Sequence, residues 1–251
     1  MKTIACYNIK GGVGKTATAV NLAWMAARAG LVTLIWDLDP QGAASFYFRT
    51  VPKVKGGGRA LIGGERELQE LVRGTEYPLL DILPADFSYR HMDIRLEEAK
   101  KPTKRLRKLL KPLAETYDVV FLDCPPSISL VSEAVFEAAD ILLVPTIPTT
   151  LSLRTFEQLR QFRSDRGLES LELVPFFSMV DRRKSLHREI LEEFAATCPE
   201  VCNTHIPYAS EVEQMGVHCA PIGEYAAYSR GGLAFEALWA ELAPRLKEGR
   251  R

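Results

Sequence analysis

The 251-residue chain contains no Cys-x-x-Cys pair, and its five cysteines are an odd, scattered set. That excludes a disulfide framework and leaves an iron–sulfur cluster no ligand pair to build on. The nearest approach to zinc spacing is Cys198 and Cys202 with His205, followed by His218 and Cys219. It lacks a clean second pair, so these residues read as reduced thiols and ordinary core or surface side chains. No run of 18 or more apolar residues occurs, which argues against a membrane-spanning helix. An apolar run starts at Lys2 with no leader ahead of it, so a cytoplasmic protein is expected. Net charge is lacking too: Lys+Arg and Asp+Glu each number 32. A constitutively basic nucleic-acid binder is thereby excluded, and any such surface must be a local patch. Internal repeats and long low-complexity segments are also missing.

What is present is enough apolar material, 47% of residues, for one large domain spanning residues 1–251. Short apolar runs alternate with longer helical patterns: Leu31 to Trp36, Leu79 to Leu83, Asp118 to Leu122, Ile141 to Val144, Leu171 to Met179 and Val201 to Ile206. Such alternation predicts an α/β fold, a mostly parallel, twisted central sheet with helices on both faces. Unbroken stretches such as Val119-Val120-Phe121-Leu122 fit strands buried on both sides. Ligands of open parallel sheets bind at the carboxyl ends of the strands. Arg49 to Gly64, rich in glycine and basic residues, is expected to be a mobile surface loop, a solvated connector rather than a partner contact.

The most informative segment is Lys10-Gly11-Gly12-Val13-Gly14-Lys15-Thr16, directly after the apolar run Lys2 to Tyr7 and before an alanine-rich helical stretch, Lys15 to Ala29. Strand, glycine loop and helix are the context of a phosphate-binding loop. Glycines let backbone N–H groups converge on phosphate oxygens where a side chain would intrude. Lys15 is placed to reach the β- and γ-phosphates and the Thr16 hydroxyl to ligate Mg²⁺. The generic spacing fails, because Ile9 stands where its first glycine belongs.

Two acidic segments complete the pattern. Asp37-Leu38-Asp39-Pro40-Gln41-Gly42 follows the second apolar run, so its carboxylates emerge at a strand end, where an acid can orient an attacking water. Asp123 ends Val119-Val120-Phe121-Leu122-Asp123, a Walker B pattern whose carboxylate would hold Mg²⁺ through water. Cys124-Pro125-Pro126 comes next, the prolines stiffening the chain and Cys124 reading as a small packed residue.

These three segments, in this order, resemble the ParA/MinD family of deviant Walker A ATPases, in the branch of partition and cargo-positioning proteins. The resemblance runs from Lys2 through the final helix. It implies ATP and Mg²⁺ as ligands. Lys10, Gly11, Gly12, Val13, Gly14, Lys15, Thr16, Ala17 and Asp123 would line the nucleotide, with Met179 and Pro207 on the adenine side. Thr16, Asp37 and Asp123 would serve the metal, and Lys10, Lys15 and Asp39 the reaction, Asp39 activating water. Lys10 matches the family's signature lysine, which reaches the phosphates of the other subunit, so ATP would join a sandwich homodimer. The family branch further implies slow, partner-stimulated hydrolysis, non-specific DNA binding, a ParB-like or other adaptor, and a place on the nucleoid.

For DNA contact, Arg182, Arg183 and Lys184, and Arg230 within Ser229-Arg230-Gly231-Gly232, resemble the family's basic regions; a solvated charged face is the competing interpretation. The tail adds Arg245, Lys247, Arg250 and Arg251. No arginine follows Ile206-Pro207, where many chromosomal partition proteins carry one. Lys101, Lys104, Lys108 and Lys111 lie opposite Leu106, Leu109, Leu110 and Leu113, as in an amphipathic covering helix. Two rivals remain. A MinD-like membrane regulator would use the stripe Phe235, Leu238, Trp239, Leu242 and Leu246 as a membrane face, and a metabolic P-loop ligase would turn over without DNA or a protein partner.

Overall fold

The computed structural model describes residues 1–246. Eight strands form one sheet: β1 (Lys2–Cys6), β2 (Thr33–Asp37), β3 (Arg73–Gly74), β4 (Leu80–Leu83), β5 (Val119–Asp123), β6 (Ile141–Thr146), β7 (Glu172–Val180) and β8 (His205–Pro207). Their order is β3-β4-β2-β5-β1-β6-β7-β8, and every neighbouring pair is parallel except β3 with β4. Parallel pairing forces crossovers over the faces, so the central strands are buried on both sides. The unbroken apolar runs reflect this: β2 and β5 are buried at every position.

Strand alternation divides the core into two layers. Ala5, Leu34, Val120 and Leu142 face one layer, covered by α3 (Gly57–Gly63), α4 (Met92–Glu97), α5 (Arg105–Leu110), α6 (Leu130–Ala138), α7 (Thr150–Asp165) and α8 (Ser185–Thr197), following α2 (Ala43–Tyr47) in the chain. Ile4, Ile35, Phe121 and Leu143 face the other, covered by α1 (Lys15–Arg28) and the last helix, Arg230–Leu242. That last helix buries Phe235, Leu238 and Leu242, with Leu246 just beyond it, and packs Trp239 partly against them. Each fully buried large apolar side chain contributes about 1.5–3 kcal/mol. The stripe that a membrane-binding protein would expose is spent on the core. No helix among the described residues is long and apolar enough to cross a membrane.

Several expectations need correction. Residues 49–64 contain α3, whose Ala60, Leu61 and Ile62 are buried, along with Val54 before it; hydrogen bonds from Val54 N to Asp86 (2.8 Å) and Gly58 N to Ser88 (2.8 Å) pin the segment. Gly56 and Gly64 are helix caps with φ of 83° and 75°, so glycine here marks helix ends rather than looseness. The run Val201 to Ile206 yields only β8, starting at His205; Cys202 N bonds Pro175 O at 2.9 Å outside any regular strand. The lysine-rich stretch makes no long helix: α5 is under two turns and passes into a 3₁₀ segment, Lys111–Glu115, where Pro112 supplies no N–H. The edge strand β3 carries two exposed residues and has no hydrophobic signal. Lys247, Arg250 and Arg251 of the basic tail lie outside the described residues. Arg245 is ion-paired with Glu172.

Candidate functional site

The loop between β1 and α1 sits at the centre of the sheet, where β1 lies between β5 and β6. Asn8 bolts it down: its Nδ2 donates to Pro145 O (2.8 Å) and its Oδ1 accepts from Lys10 N (2.9 Å). Gly12 and Gly14 adopt φ of 69° and 90°, the left-handed region closed to most side chains. Gly14 also has a neighbour that matters, since a Cβ there would lie 3.0 Å from Ser178 Oγ. Gly14 caps α1 without any side-chain acceptor, so the free N–H groups of a 14-residue helix open toward the loop. Unpaired donors and a positive helix end are suited to an anion. Gly11 and Gly12 are exposed, Val13 is buried as the anchor of the turn, and Thr16 and Ala17 are half-buried on the first turn.

Lys15 is buried at 6% exposure, and its Nζ donates to Lys10 O at 2.9 Å. Burial lowers its pKa, while the nearby Asp123 carboxylate pulls it back up. A buried ammonium with a single carbonyl acceptor retains donor capacity for phosphate oxygens.

Asp37 and Asp123 end adjacent strands in register. Both are completely buried, yet their surroundings differ. Asp37 Oδ2 accepts from Ser45 N (2.8 Å) and Ser45 Oγ (2.7 Å), and Oδ1 accepts from Asp39 N (3.2 Å). Its oxygens are committed to holding the following turn. Burial still raises its pKa to about 6, against those hydrogen bonds. Neither oxygen of Asp123 has a hydrogen-bond partner among the described residues. Its pKa stands well above the usual carboxylate range, from burial first and the Asp37 charge second, while Thr16 and Lys15 pull it down. An unpartnered buried carboxylate is costly unless something cationic or protic meets it. The position therefore suits a hydrated cation, and of the two aspartates it is Asp123 that has acceptors to offer.

Asp39 is half-buried on the turn beyond β2, its Oδ1 accepting from Gln41 N at 2.9 Å. Lys10 is half-buried and points away from its own loop: its Nζ donates to Ser152 Oγ (3.0 Å) on the first turn of α7, where Ser152 also pairs with the capping Thr149 (2.8 Å). Cys124 is buried, with its thiol pKa pushed up chiefly by burial, in keeping with a packed residue.

Met179 and Pro207 come together where β7 and β8 pair, Val180 standing opposite Pro207. Met179 has a φ of 55°, uncommon for a residue with a side chain. Beside them opens a cleft of about 740 Å³ lined in part by Arg182, Arg183, Pro207 and Arg230. Thus three of the four predicted DNA contacts converge. Lys184 does not line this cleft and instead precedes α8 as its N-cap. Arg183 is bound by Asp181 through Nε and Nη2, both at 2.9 Å, and Arg182 Nη2 lies 3.2 Å from His205 Nε2. Arg230 is exposed.

Asn8, Ser45, Ser152 and Ser178 were not singled out from the sequence. Asn8 had a signal, a polar residue interrupting an apolar run just before the loop; the serines had none.

A family described as an AAA domain matches residues 1–165. The chromosome-partitioning ATPase Soj of Treponema pallidum is 30% identical over 256 residues, covering 97% of this chain and 98% of that protein. The chromosome partitioning protein ParA of Myxococcus xanthus is 31% identical over 254 residues, covering 97% and 88% respectively. Among solved structures, a cobyrinic acid a,c-diamide synthase from Mycobacterium smegmatis, bound to an ATP analog and magnesium, superposes with a TM-score of 0.83 at 25% identity, over 100% of this chain and 97% of that one.

Proposed function

Because this chain belongs to the ParA/MinD family of deviant Walker A ATPases, we propose that it binds ATP with Mg²⁺ at the β1–α1 loop and hydrolyses it slowly. What carries the proposal is the pair of buried aspartates, Asp37 and Asp123, ending adjacent central strands, with buried Lys15 opening α1 and neither Asp123 oxygen hydrogen-bonded among the described residues. The loop N–H groups and Lys15 would bind the phosphates; Thr16 and Asp123, through water, would hold the metal. Mg²⁺, when bound, neutralises charge on the β- and γ-phosphates. Asp37 serves the site indirectly, as the anchor that fixes the turn carrying Asp39. Asp39 orients the attacking water; the water oxygen would bond to the γ-phosphorus as the bond to the β–γ bridging oxygen breaks, the water's proton passing to the Asp39 carboxylate and on to solvent, and ADP and phosphate would leave. Met179 and Pro207 would border the adenine.

Lys10 would leave Ser152 and reach the phosphates of a second subunit, making ATP the joint of a sandwich homodimer. In that state the Arg182, Arg183 and Arg230 cleft would contact DNA non-specifically. An adaptor that speeds hydrolysis would then release the protein, positioning a cargo on the nucleoid. The Asp39→Ala variant tests this sequence of events. It is expected to bind ATP, to run as a dimer in gel filtration with ATP, and to turn over about a hundredfold more slowly. Unchanged turnover, or a monomer with ATP, would overturn it.

A further inference from the structure

The overall charge balance hides a strongly cationic groove on the sheet face opposite α1. Between α3, α4 and α5 lies a cleft of about 640 Å³, and seven of its twelve lining residues are Lys or Arg, against two carboxylates. A second depression of about 340 Å³ adjoins it, with Gly63, Arg105 and Lys108 lining both. In a chain with equal numbers of acidic and basic residues, this is a local segregation of charge.

The cations divide by chemistry. Each arginine has one partner within the groove's walls: Arg59 lies 3.9 Å from Glu65, Arg66 pairs with Glu70 (3.2 Å), Arg95 with Glu98 (3.3 Å), and Arg105 Nε donates to Ile62 O (2.6 Å). Gly64 makes room for that last contact, since a Cβ there would sit 2.5 Å from Arg105 Nη2. Lys100, Lys101, Lys104 and Lys108 are exposed and form no ion pair among the described residues. Lys101 and Lys104 precede α5 and Lys108 lies within it, yet all three line the same cleft with Lys100, so like charges gather there and favour an anion.

The form of the groove selects the anion. No aromatic side chain lines either depression, so bases of a single strand have no stacking platform. The four lysines present mobile ammonium point charges, which meet separate carboxylates as readily as they meet phosphate, without the fixed fork of a guanidinium. Beneath them run aliphatic groups, Ile62 and Ala99 in the first depression and Leu109 in the second. Exposed ammonium groups beside aliphatic lining residues, in two adjoining depressions, match an extended peptide that alternates carboxylates with aliphatic side chains. We propose that this groove docks such an acidic segment of a partner protein, its Asp and Glu side chains meeting the four lysines. The site is separate from the Arg182, Arg183 and Arg230 cleft and requires no nucleotide.

The test is fluorescence anisotropy with a labelled peptide alternating Glu and Leu, using the full chain without nucleotide. Binding is expected to weaken with salt, and to fall at least about tenfold in the variant Lys101→Glu, Lys104→Glu, Lys108→Glu. The variant Arg182→Glu, Arg183→Glu, altered in the other basic cleft, should retain wild-type affinity for the peptide. Lys104→Gln with Lys108→Gln supplies a milder change with the same direction. Wild-type peptide affinity in a triple variant of unchanged thermal midpoint would overturn the proposal. So would an equal loss from the Arg182 and Arg183 changes, which would mean general attraction to cations. Binding of a labelled oligonucleotide or polyphosphate to the lysines, with none of the peptide, would assign the groove to phosphate instead.

Discussion

The loop end of the central strands and the β7–β8 edge of the sheet each offer cationic side chains to an anion, but they hold them in opposite ways. At the centre, Lys15 is buried at 6% exposure beside two fully buried aspartates, and the loop above it is set by Asn8 and by glycines with φ of 69° and 90°. At the edge, Arg182 and Arg230 are exposed, and Arg183 is paired with Asp181 in solvent. Buried charges act at short range in a low effective dielectric, so each group there matters strongly. Exposed ones act collectively and are screened by salt. The centre is suited to chemistry on one ligand, and the edge to weak contact with an extended polyanion.

Three variants sharpen the contrast. The largest effect is expected from Lys15→Ala: losing a buried charge-assisted donor should weaken ATP binding about a hundredfold, measured by nucleotide titration. Retained affinity would place the phosphates elsewhere. Next, Gly14→Ala introduces a side chain at φ 90° and 3.0 Å from Ser178 Oγ, and should weaken ATP binding about tenfold through strain of roughly 1–2 kcal/mol. A variant that binds ATP as well as the wild type would show that the loop relaxes freely. The smallest effect belongs to the edge. Arg182→Glu with Arg230→Glu should lower ATP-dependent DNA retention roughly fivefold at physiological salt and flatten its salt dependence. Nucleotide affinity should stay unchanged; if it moved instead, the cleft would belong to the base site rather than to DNA.

The central site was legible because its parts are local in sequence. A glycine loop must follow a strand and open a helix, and Asp37 and Asp123 each end an apolar run, which puts both at the carboxyl edge of a parallel sheet; that they are neighbours follows from the strand order, which sets β2 beside β5. The division of labour between them was not legible. Asp37 and Asp123 look alike as strand-ending acids, and only Ser45, eight residues on, shows that one is saturated with donors while the other is bare. Residues 49–64 misled for a related reason. Glycine and lysine content there signals a loop, but Val54, Leu61 and Ile62 find burial against residues distant in the chain.

The sequence by itself determined the fold class and the glycine turn between β1 and α1, because backbone conformation and hydrophobic period are short-range properties. Only the tertiary structure decided which cations act together. Arg182 and Arg230 are separated in the chain by α8, β8 and three one-turn helices and meet at one cleft, while Arg59 joins the lysines of residues 100–108 across α3 and α5. Charge acts through space, and the spacing of charges in space is set by packing, which no local pattern encodes. Lys10 belongs to both accounts: the sequence marks it as the extra lysine, and the fold shows it held on Ser152, outside the site its own loop builds.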